Sequence, residues 1–135
     1  MPTLAPTETL DRFETIELLQ AYYQHPPHYG SLSDATISLS GHTPGCSDQL
    51  TLYIRLSHAG QRIAQVQFEG AGCTISQAAA ALLCERVAGM LVSDLATLDV
   101  WALLPELDRG VLVSRIRCAT LALGLLKVGV ASAAA

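Results

Sequence analysis

Three cysteines and an aspartate, set far apart in the chain, most constrain what this sequence can fold into. They are Cys46, Asp48, Cys73 and Cys118. No cysteine pair has the CxxC spacing, so a site built from them must be assembled from segments that are distant in sequence. Cys46 and Asp48 share a loop just before a predicted strand and can face the same side. Three thiolates and one carboxylate form a four-coordinate set that suits zinc or an iron–sulfur cluster.

The sequence around two of these cysteines favours the thiolate form. Cys73 lies between a glycine-rich turn and a predicted helix start, where backbone N–H groups and the helix dipole stabilise an anion. Arg115 and Arg117 precede Cys118 and are predicted to stabilise its thiolate. For any one of these cysteines taken alone, the alternative is a small, buried, apolar residue, as most free cysteines are.

The fourth cysteine and one histidine are treated differently. Cys84 follows Cys73 by eleven positions on a predicted helix, so the two lie about 16 Å apart along its axis, too far for one coordination sphere. Cys84 is therefore predicted to belong to the core. His42 is close enough in sequence to Cys46 to be an alternative fourth ligand.

Composition limits the class of protein. The chain has 135 residues, half of them apolar, which predicts one domain with a well-filled core. A net charge of −4 without any run of Lys or Arg argues against nucleic acid as a partner. We expect no signal peptide, because no positively charged N-terminal segment precedes an apolar stretch. We expect no membrane span, because Lys127 interrupts the apolar run from Ala119 to Ala135 and the run is too short. Four cysteines without an export signal indicate a reducing compartment, the cytoplasm.

Apolar periodicity predicts an α+β fold in which a small antiparallel three-stranded sheet packs against helices. Residues 1–10 are predicted to form a flexible tail, 11–130 a single domain and 131–135 a C-terminal tail. Three short strands are expected at Ile37–Leu39, Leu50–Leu56 and Ala64–Phe68, with a hairpin turn at Ala59-Gly60 between the last two. Helices are expected at about Asp11–Tyr23, Ile75–Ala88, Ser93–Leu104 and Ser114–Val128.

Four motifs, taken together, resemble the U-type iron–sulfur cluster assembly proteins, the IscU, NifU N-terminal and SufU group. The family's Cys-Gly-Asp is present as Cys46-Ser47-Asp48, and its Gly-x-Gly-Cys-x-Ile-Ser is intact at 70–76. Its third cysteine motif is present at 115–122 as Arg-Ile-Arg-Cys-Ala-Thr-Leu-Ala. The segment 23–30 is similar to a family run ending in Asn-Pro-x-Asn-x-Gly, with His25 and His28 replacing both asparagines.

The resemblance implies a SufE/IscU-like scaffold with its site at one exposed end. Cys46, Asp48, Cys73 and Cys118 would hold zinc at rest, or a transient 2Fe–2S cluster. The implied partners are a pyridoxal-phosphate cysteine desulfurase that delivers sulfur and a downstream apo iron–sulfur acceptor or carrier. Cys46 or Cys118 would accept the persulfide sulfur. An oxygen ligand matches a thiophilic centre less well than a fourth thiolate, so the aspartate should make the assembly more exchangeable.

Departures from the family pattern concern the sub-type. Arg117 stands where IscU and NifU have a histidine, and 111–115 lacks their Leu-Pro-Pro-Val-Lys chaperone-docking segment. The string around Cys118 resembles SufU, whose members can be zinc-dependent sulfur acceptors, yet the SufU insertion before the third cysteine is absent. Three interpretations stay open: a zinc-dependent sulfurtransferase, a non-enzymatic cluster scaffold, or a binding or regulatory module with structural zinc and no sulfur transfer.

Overall fold

Three strands and six helices form within the residues that the computed structural model describes, which are 9–43, 48–57 and 59–134. This arrangement confirms the predicted α+β fold with a three-stranded antiparallel sheet, in the order β1-β2-β3. The elements are α1 (Arg12–Gln24), β1 (Ile37–His42), β2 (Gln49–Leu56), β3 (Ile63–Ala71), α2 (Thr74–Val87), α3 (Val92–Leu95), α4 (Val100–Leu103), α5 (Arg109–Ser114) and α6 (Ile116–Ala134).

The sheet has one apolar face and one polar face, as the period-two pattern of β2 predicts. Leu50, Leu52 and Ile54 are fully buried, and Leu52 pairs with Phe68 of β3 across the sheet. Residues between them point to the other face, which is bridged by hydrogen bonds such as that from the Tyr53 hydroxyl to Glu69. The buried face therefore determines on which side the helices pack.

The first half of β3 differs from the sequence prediction. Alternation with Val66 and Phe68 placed Ala64 on the buried face, but Ala64 is exposed and Ile63 is fully buried. The cause is a register shift at Arg55, because β2 residues 55 and 56 pair with β3 residues 65 and 63. The extra residue in β3 is a β-bulge that reverses which side chains face the core.

Two helices cover the apolar face of the sheet. Every residue of α2 from Ser76 to Cys84 is buried, because the sheet, α1 and α6 all contact this helix. The small side chains of its alanine run permit this close packing. A Cβ atom at Gly129 of α6 would lie 3.1 Å from Ile54, so α6 also rests directly on the strands. None of the helices within the described ranges combines the length and hydropathy needed to span a bilayer.

Helix ends follow capping chemistry more closely than they follow the apolar pattern. Asp11 and Glu14 form a capping box at the start of α1. The single helix predicted over 93–104 is instead two short helices, α3 and α4, and Asp99 caps the second. Asp108 caps α5, a helix that the apolar pattern does not predict. The last helix continues past Val128 to Ala134, through residues assigned to the C-terminal tail.

An ion pair between Arg86 of α2 and Glu106 connects this helix to the segment after α4. Arg86 Nη1 donates to Glu106 Oε1 and to the Leu103 carbonyl, both at 2.9 Å. Arg86 Nη2 and Glu106 Oε2 make the second contact of a bidentate pair. Hydrogen bonding to Arg86 lowers the pKa of Glu106 below its usual value.

We expect Glu106→Gln to lower the free energy of unfolding at pH 7 by about 1–2 kcal/mol, because Arg86 loses a half-buried charged partner. The contribution of Glu106 is fully present above the pKa of an unfolded glutamate, about 4.3. It is lost as the pH falls through the lower pKa of the folded state. Urea unfolding should therefore show that the unmodified protein and the variant differ in free energy of unfolding at pH 7 and differ less at pH 3. A difference in free energy of unfolding that is the same at both pH values would contradict this account.

Candidate metal centre

Three of the four predicted ligands meet at one end of the sheet. Asp48 lies just before β2, Cys73 is the N-cap of α2, and Cys118 lies in the first turn of α6. One ligand atom from each lies within 4.8 Å of the others. Cys46 falls outside the described residues, so its place in the site stays a prediction.

The register of the sheet explains why Asp48 and Cys73 are adjacent. Gln49, the first residue of β2, pairs with Ala71, the last residue of β3. Asp48 and Gly72 are the next residues along each strand and therefore lie opposite each other. Gly72 has a φ of +144°, and a Cβ atom there would overlap Asp48 Oδ1. Only glycine permits the carboxylate to come this close to the turn.

Hydrogen bonds join the carboxylate to Cys73. The Cys73 amide donates to Asp48 Oδ1 at 2.7 Å, and its thiol donates to Oδ2 at 3.6 Å. The Ser76 amide in the first turn of α2 donates to Cys73 Sγ at 3.4 Å. Backbone N–H groups at the N-cap and in the first turn of α2 thus point towards Asp48 and Cys73, where they favour negative charge.

The ionisable groups differ in the charge that their surroundings favour. Burial raises the pKa of Asp48, but hydrogen bonds from Cys118, Cys73 and Ser76 outweigh it and bring the pKa below the usual value. Burial raises the pKa of the Cys118 thiol, and hydrogen bonds and charge from Asp48 and Cys73 act in the same direction. The metal-free site therefore pairs a carboxylate with a protonated Cys118 thiol. Metal binding here must release a proton.

The chemistry of these residues fits a thiophilic metal. Thiol sulfur and carboxylate oxygen are the ligand types of zinc sites, and thiolates hold iron–sulfur clusters. Two sulfurs bound to one zinc at about 2.3 Å are about 3.8 Å apart in tetrahedral geometry. The three ligand atoms lie within 4.8 Å of one another, so small side-chain movements would bring them to bonding distance of one ion.

A cleft of about 300 Å³ leads to Cys118. Cys118 is one of the residues that line this cleft, and only 3% of it is exposed. Arg115 and Arg117 line the cleft and are exposed, and their role in stabilising the thiolate stays a prediction. Thr43 also lines it, with a buried Oγ1 that has no hydrogen-bond partner within the described residues.

Four residues outside the ligand set remain to be placed: Cys84, His42, Ser76 and Thr43. Cys84 is fully buried, and burial raises its pKa to about 12, which confirms that it belongs to the core. His42 ends β1 opposite Gln49, and it is not part of the described ligand group. The roles of Ser76 and Thr43 were not predicted. The place of Ser76 in the first turn after Cys73 could have identified it, whereas nothing in the sequence singles out Thr43.

A family model described as NifU-like N terminal domain matches residues 15–134. The iron-sulfur cluster assembly scaffold protein IscU of Thermotoga maritima is 35% identical over 82 residues, which cover 61% of this chain and 56% of that protein. The zinc-dependent sulfurtransferase SufU of Bacillus subtilis is 29% identical over 73 residues, or 54% of this chain and 48% of that protein. The chain thus spans about half the length of the curated relatives that it matches.

Solved structures share the fold. One is described as an iron–sulfur cluster assembly scaffold protein for the SUF system of Fervidobacterium islandicum. It superposes with a TM-score of 0.69 at 25% identity, covering 84% of this chain and 94% of that one. A NifU-like N-terminal protein of Brucella abortus gives a TM-score of 0.69 at 12% identity, covering 89% and 95%, which shows the fold alone.

Proposed function

The chain belongs to the NifU-like N-terminal domain family, and we propose that it assembles iron–sulfur clusters by accepting persulfide sulfur from a pyridoxal-phosphate cysteine desulfurase. Family membership confirms the resemblance drawn from the cysteine motifs. The observation that carries the proposal is the convergence of Asp48, Cys73 and Cys118 within 4.8 Å of one another. Cys46 would complete the set, and zinc or a nascent 2Fe–2S cluster would be held by these four side chains. The cytoplasm is the compartment we propose.

The transfer step is a thiol–disulfide-type exchange that needs no external oxidant. A thiolate of this chain, Cys46 or Cys118, attacks the terminal sulfur of the donor's persulfide. A new sulfur–sulfur bond forms as the donor's own sulfur–sulfur bond breaks, and the donor cysteine leaves as a thiolate that takes up a proton. Cys118 lines the cleft described above but is 3% exposed, so the donor would have to enter this cleft, and the thiol must first lose a proton.

Asp48 has two roles in this proposal. Its carboxylate accepts hydrogen bonds from the Cys73 amide and thiol, which fixes the geometry between two ligand segments before metal arrives. It is also the one oxygen donor among sulfur donors, and it should bind a thiophilic metal less firmly than a fourth thiolate would. A bound metal would hold the ligand side chains together and favour their deprotonated forms.

The packing of the core argues against zinc as a mainly structural element. The buried cluster extends over α2, α6, β2 and β3, with Ile37 and Leu39 of β1 packed against it, and it is continuous without the metal ligands. A domain with such a core should fold in the metal-free state, unlike small zinc modules that are unfolded without metal.

The test combines metal analysis with a sulfur-transfer assay. The purified protein is assayed for zinc, then mixed with a cysteine desulfurase and ³⁵S-labelled cysteine, and label on this chain is read from a non-reducing gel. We expect about one zinc per chain and label that a thiol reductant releases, since a persulfide is reducible. A chelator should lower the melting temperature without unfolding the domain at 25 °C.

Two other results would change the assignment. Stable cluster formation from iron and sulfide under anaerobic conditions, with no label transferred, would assign the scaffold role alone. Zinc without label or cluster, together with unfolding in chelator, would favour the structural-zinc module and overturn the proposal.

A further inference from the structure

Residues 28–30 lie along the outer edge of β3 and bond to its backbone. The Phe68 amide donates to the His28 carbonyl at 3.0 Å, and the Gly30 amide donates to the Phe68 carbonyl at 2.8 Å. Tyr29 lies between these two bonds, in a bridge with Phe68. The segment passes from α1 to β1, yet it is attached to the strand that ends at the metal centre.

The Tyr29 side chain extends this attachment towards the glycine-rich turn. Its ring meets the Phe68 ring edge-on, with centroids 5.1 Å apart and planes at 80°. Its hydroxyl donates to the Gly70 carbonyl at 3.1 Å and accepts from the Gly70 amide at 3.4 Å. Both backbone groups of Gly70 are thus bonded to one phenol oxygen.

The turn after Gly70 cannot be held by large side chains of its own. A Cβ atom at Gly70 would overlap the Gln49 carbonyl, and one at Gly72 would overlap Asp48. The close approach of β2 therefore requires glycine at both positions, and neither glycine can add side-chain contacts that would hold the end of β3 or the turn after it. Cys73 follows directly, and its distance from Asp48 depends on where this turn lies.

We propose that Tyr29 is a positioning residue for the metal centre, because its hydroxyl holds the end of β3, and with it the turn at Gly72, where Cys73 can reach Asp48 and Cys118. Tyr29 is half exposed, so burial of its ring does not by itself account for the arrangement. Two hydrogen bonds to a backbone position three residues from a ligand restrain that ligand, as outer partners of metal ligands commonly do. The inference rests on the proposed function only in taking zinc as the ion.

Tyr23 is a matched control, because it lines the same cavity as Tyr29. Tyr23 and Tyr29 both line a cavity of about 450 Å³ beside Gly70–Gly72, and Tyr23 is exposed to a similar degree, 44% against 50%. Tyr23 makes no side-chain hydrogen bond within the described part of the chain. Removing the hydroxyl of Tyr23 should leave the backbone at Gly70 and Gly72 unchanged. Removing the hydroxyl of Tyr29 should make that backbone more mobile.

The experiment compares Tyr29→Phe and Tyr23→Phe with the unmodified protein by two readouts. The first is the zinc dissociation constant, measured by competition with a chromophoric chelator. The second is amide hydrogen exchange by NMR in the metal-free protein, comparing the Cys73 amide, which is bonded to Asp48, with that of Leu123 in α6. Tyr29→Phe should raise the dissociation constant about three- to tenfold. It should also speed exchange at Cys73 about tenfold and leave exchange at Leu123 unchanged.

Each other result overturns the proposal. Equal values for the two variants would mean that the hydroxyl of Tyr29 has no special role. Faster exchange at both Cys73 and Leu123 would indicate a general loss of stability instead of a local release. Faster exchange at Cys73 alone, with unchanged zinc affinity, would show that the turn does not limit metal binding. If the unmodified protein bound no zinc, the proposed function would fail, and the exchange readout would still test the hydroxyl.

Discussion

Replacing Cys73 by alanine is expected to weaken zinc binding about a hundredfold or more and to abolish sulfur acceptance, while the domain stays folded. Cys73 is the ligand most directly joined to Asp48, by its amide at 2.7 Å and its thiol at 3.6 Å. The variant retains the backbone amide, and therefore the carboxylate's first hydrogen bond, but removes the sulfur. The measurements are chelator competition for zinc and transfer of ³⁵S from a cysteine desulfurase.

Cys84→Ala is the matched control, since it removes the same atom from the helix that Cys73 caps. Cys84 is fully buried, and burial raises the pKa of its thiol to about 12, so it is an inert part of the core. We expect the control to lower the free energy of unfolding by about 1–2 kcal/mol through the small cavity it leaves. Zinc affinity and sulfur acceptance should be nearly unchanged. Equal loss of both at Cys84 would contradict the assignment of the ligands.

Much of this fold could be predicted because its signals are local. The alternation of Leu50, Leu52 and Ile54 requires a strand with one buried face. Asp11 and Glu14 provide a complete cap for the helix that follows them. Three cysteine motifs in family order identified the segments that converge at the site, and Asp48, Cys73 and Cys118 do lie together.

The parts that were missed depend on contacts between distant segments. Because of the bulge opposite Arg55 and Leu56, Ile63 faces the core and Ala64 faces solvent. A bulge depends on how two strands pair, so the sequence of one strand alone does not predict it. The bond between Tyr29 and Gly70 joins residues 41 positions apart. The raised pKa of Cys118 follows from burial and from Asp48 and Cys73, which lie far from it in sequence.

Gly72→Ala is expected to have the second-largest effect, because it alters the contact that brings two ligand segments together. Alanine at Gly72 must adopt a φ of +144° and place its methyl group on Asp48 Oδ1. The carboxylate must move, and the Cys73 amide then loses its acceptor. We expect zinc affinity to fall about ten- to a hundredfold and the free energy of unfolding to fall by about 1–3 kcal/mol.

Gly89→Ala separates backbone strain from the loss of site geometry. Gly89 also has a positive φ, +88°, but a methyl group there would meet no atom within 4 Å. This control should cost about 1 kcal/mol of stability, as a non-glycine residue in the left-handed region does, and leave zinc affinity unchanged. Thermal melts of both metal-free variants, with chelator competition for zinc, measure the two effects separately. If Gly72→Ala lost stability but kept its zinc affinity, the close approach of Asp48 to the turn would not be what builds the metal centre. Weaker zinc binding in Gly72→Ala but not in Gly89→Ala would show that the close approach of Asp48 to this turn builds the metal centre.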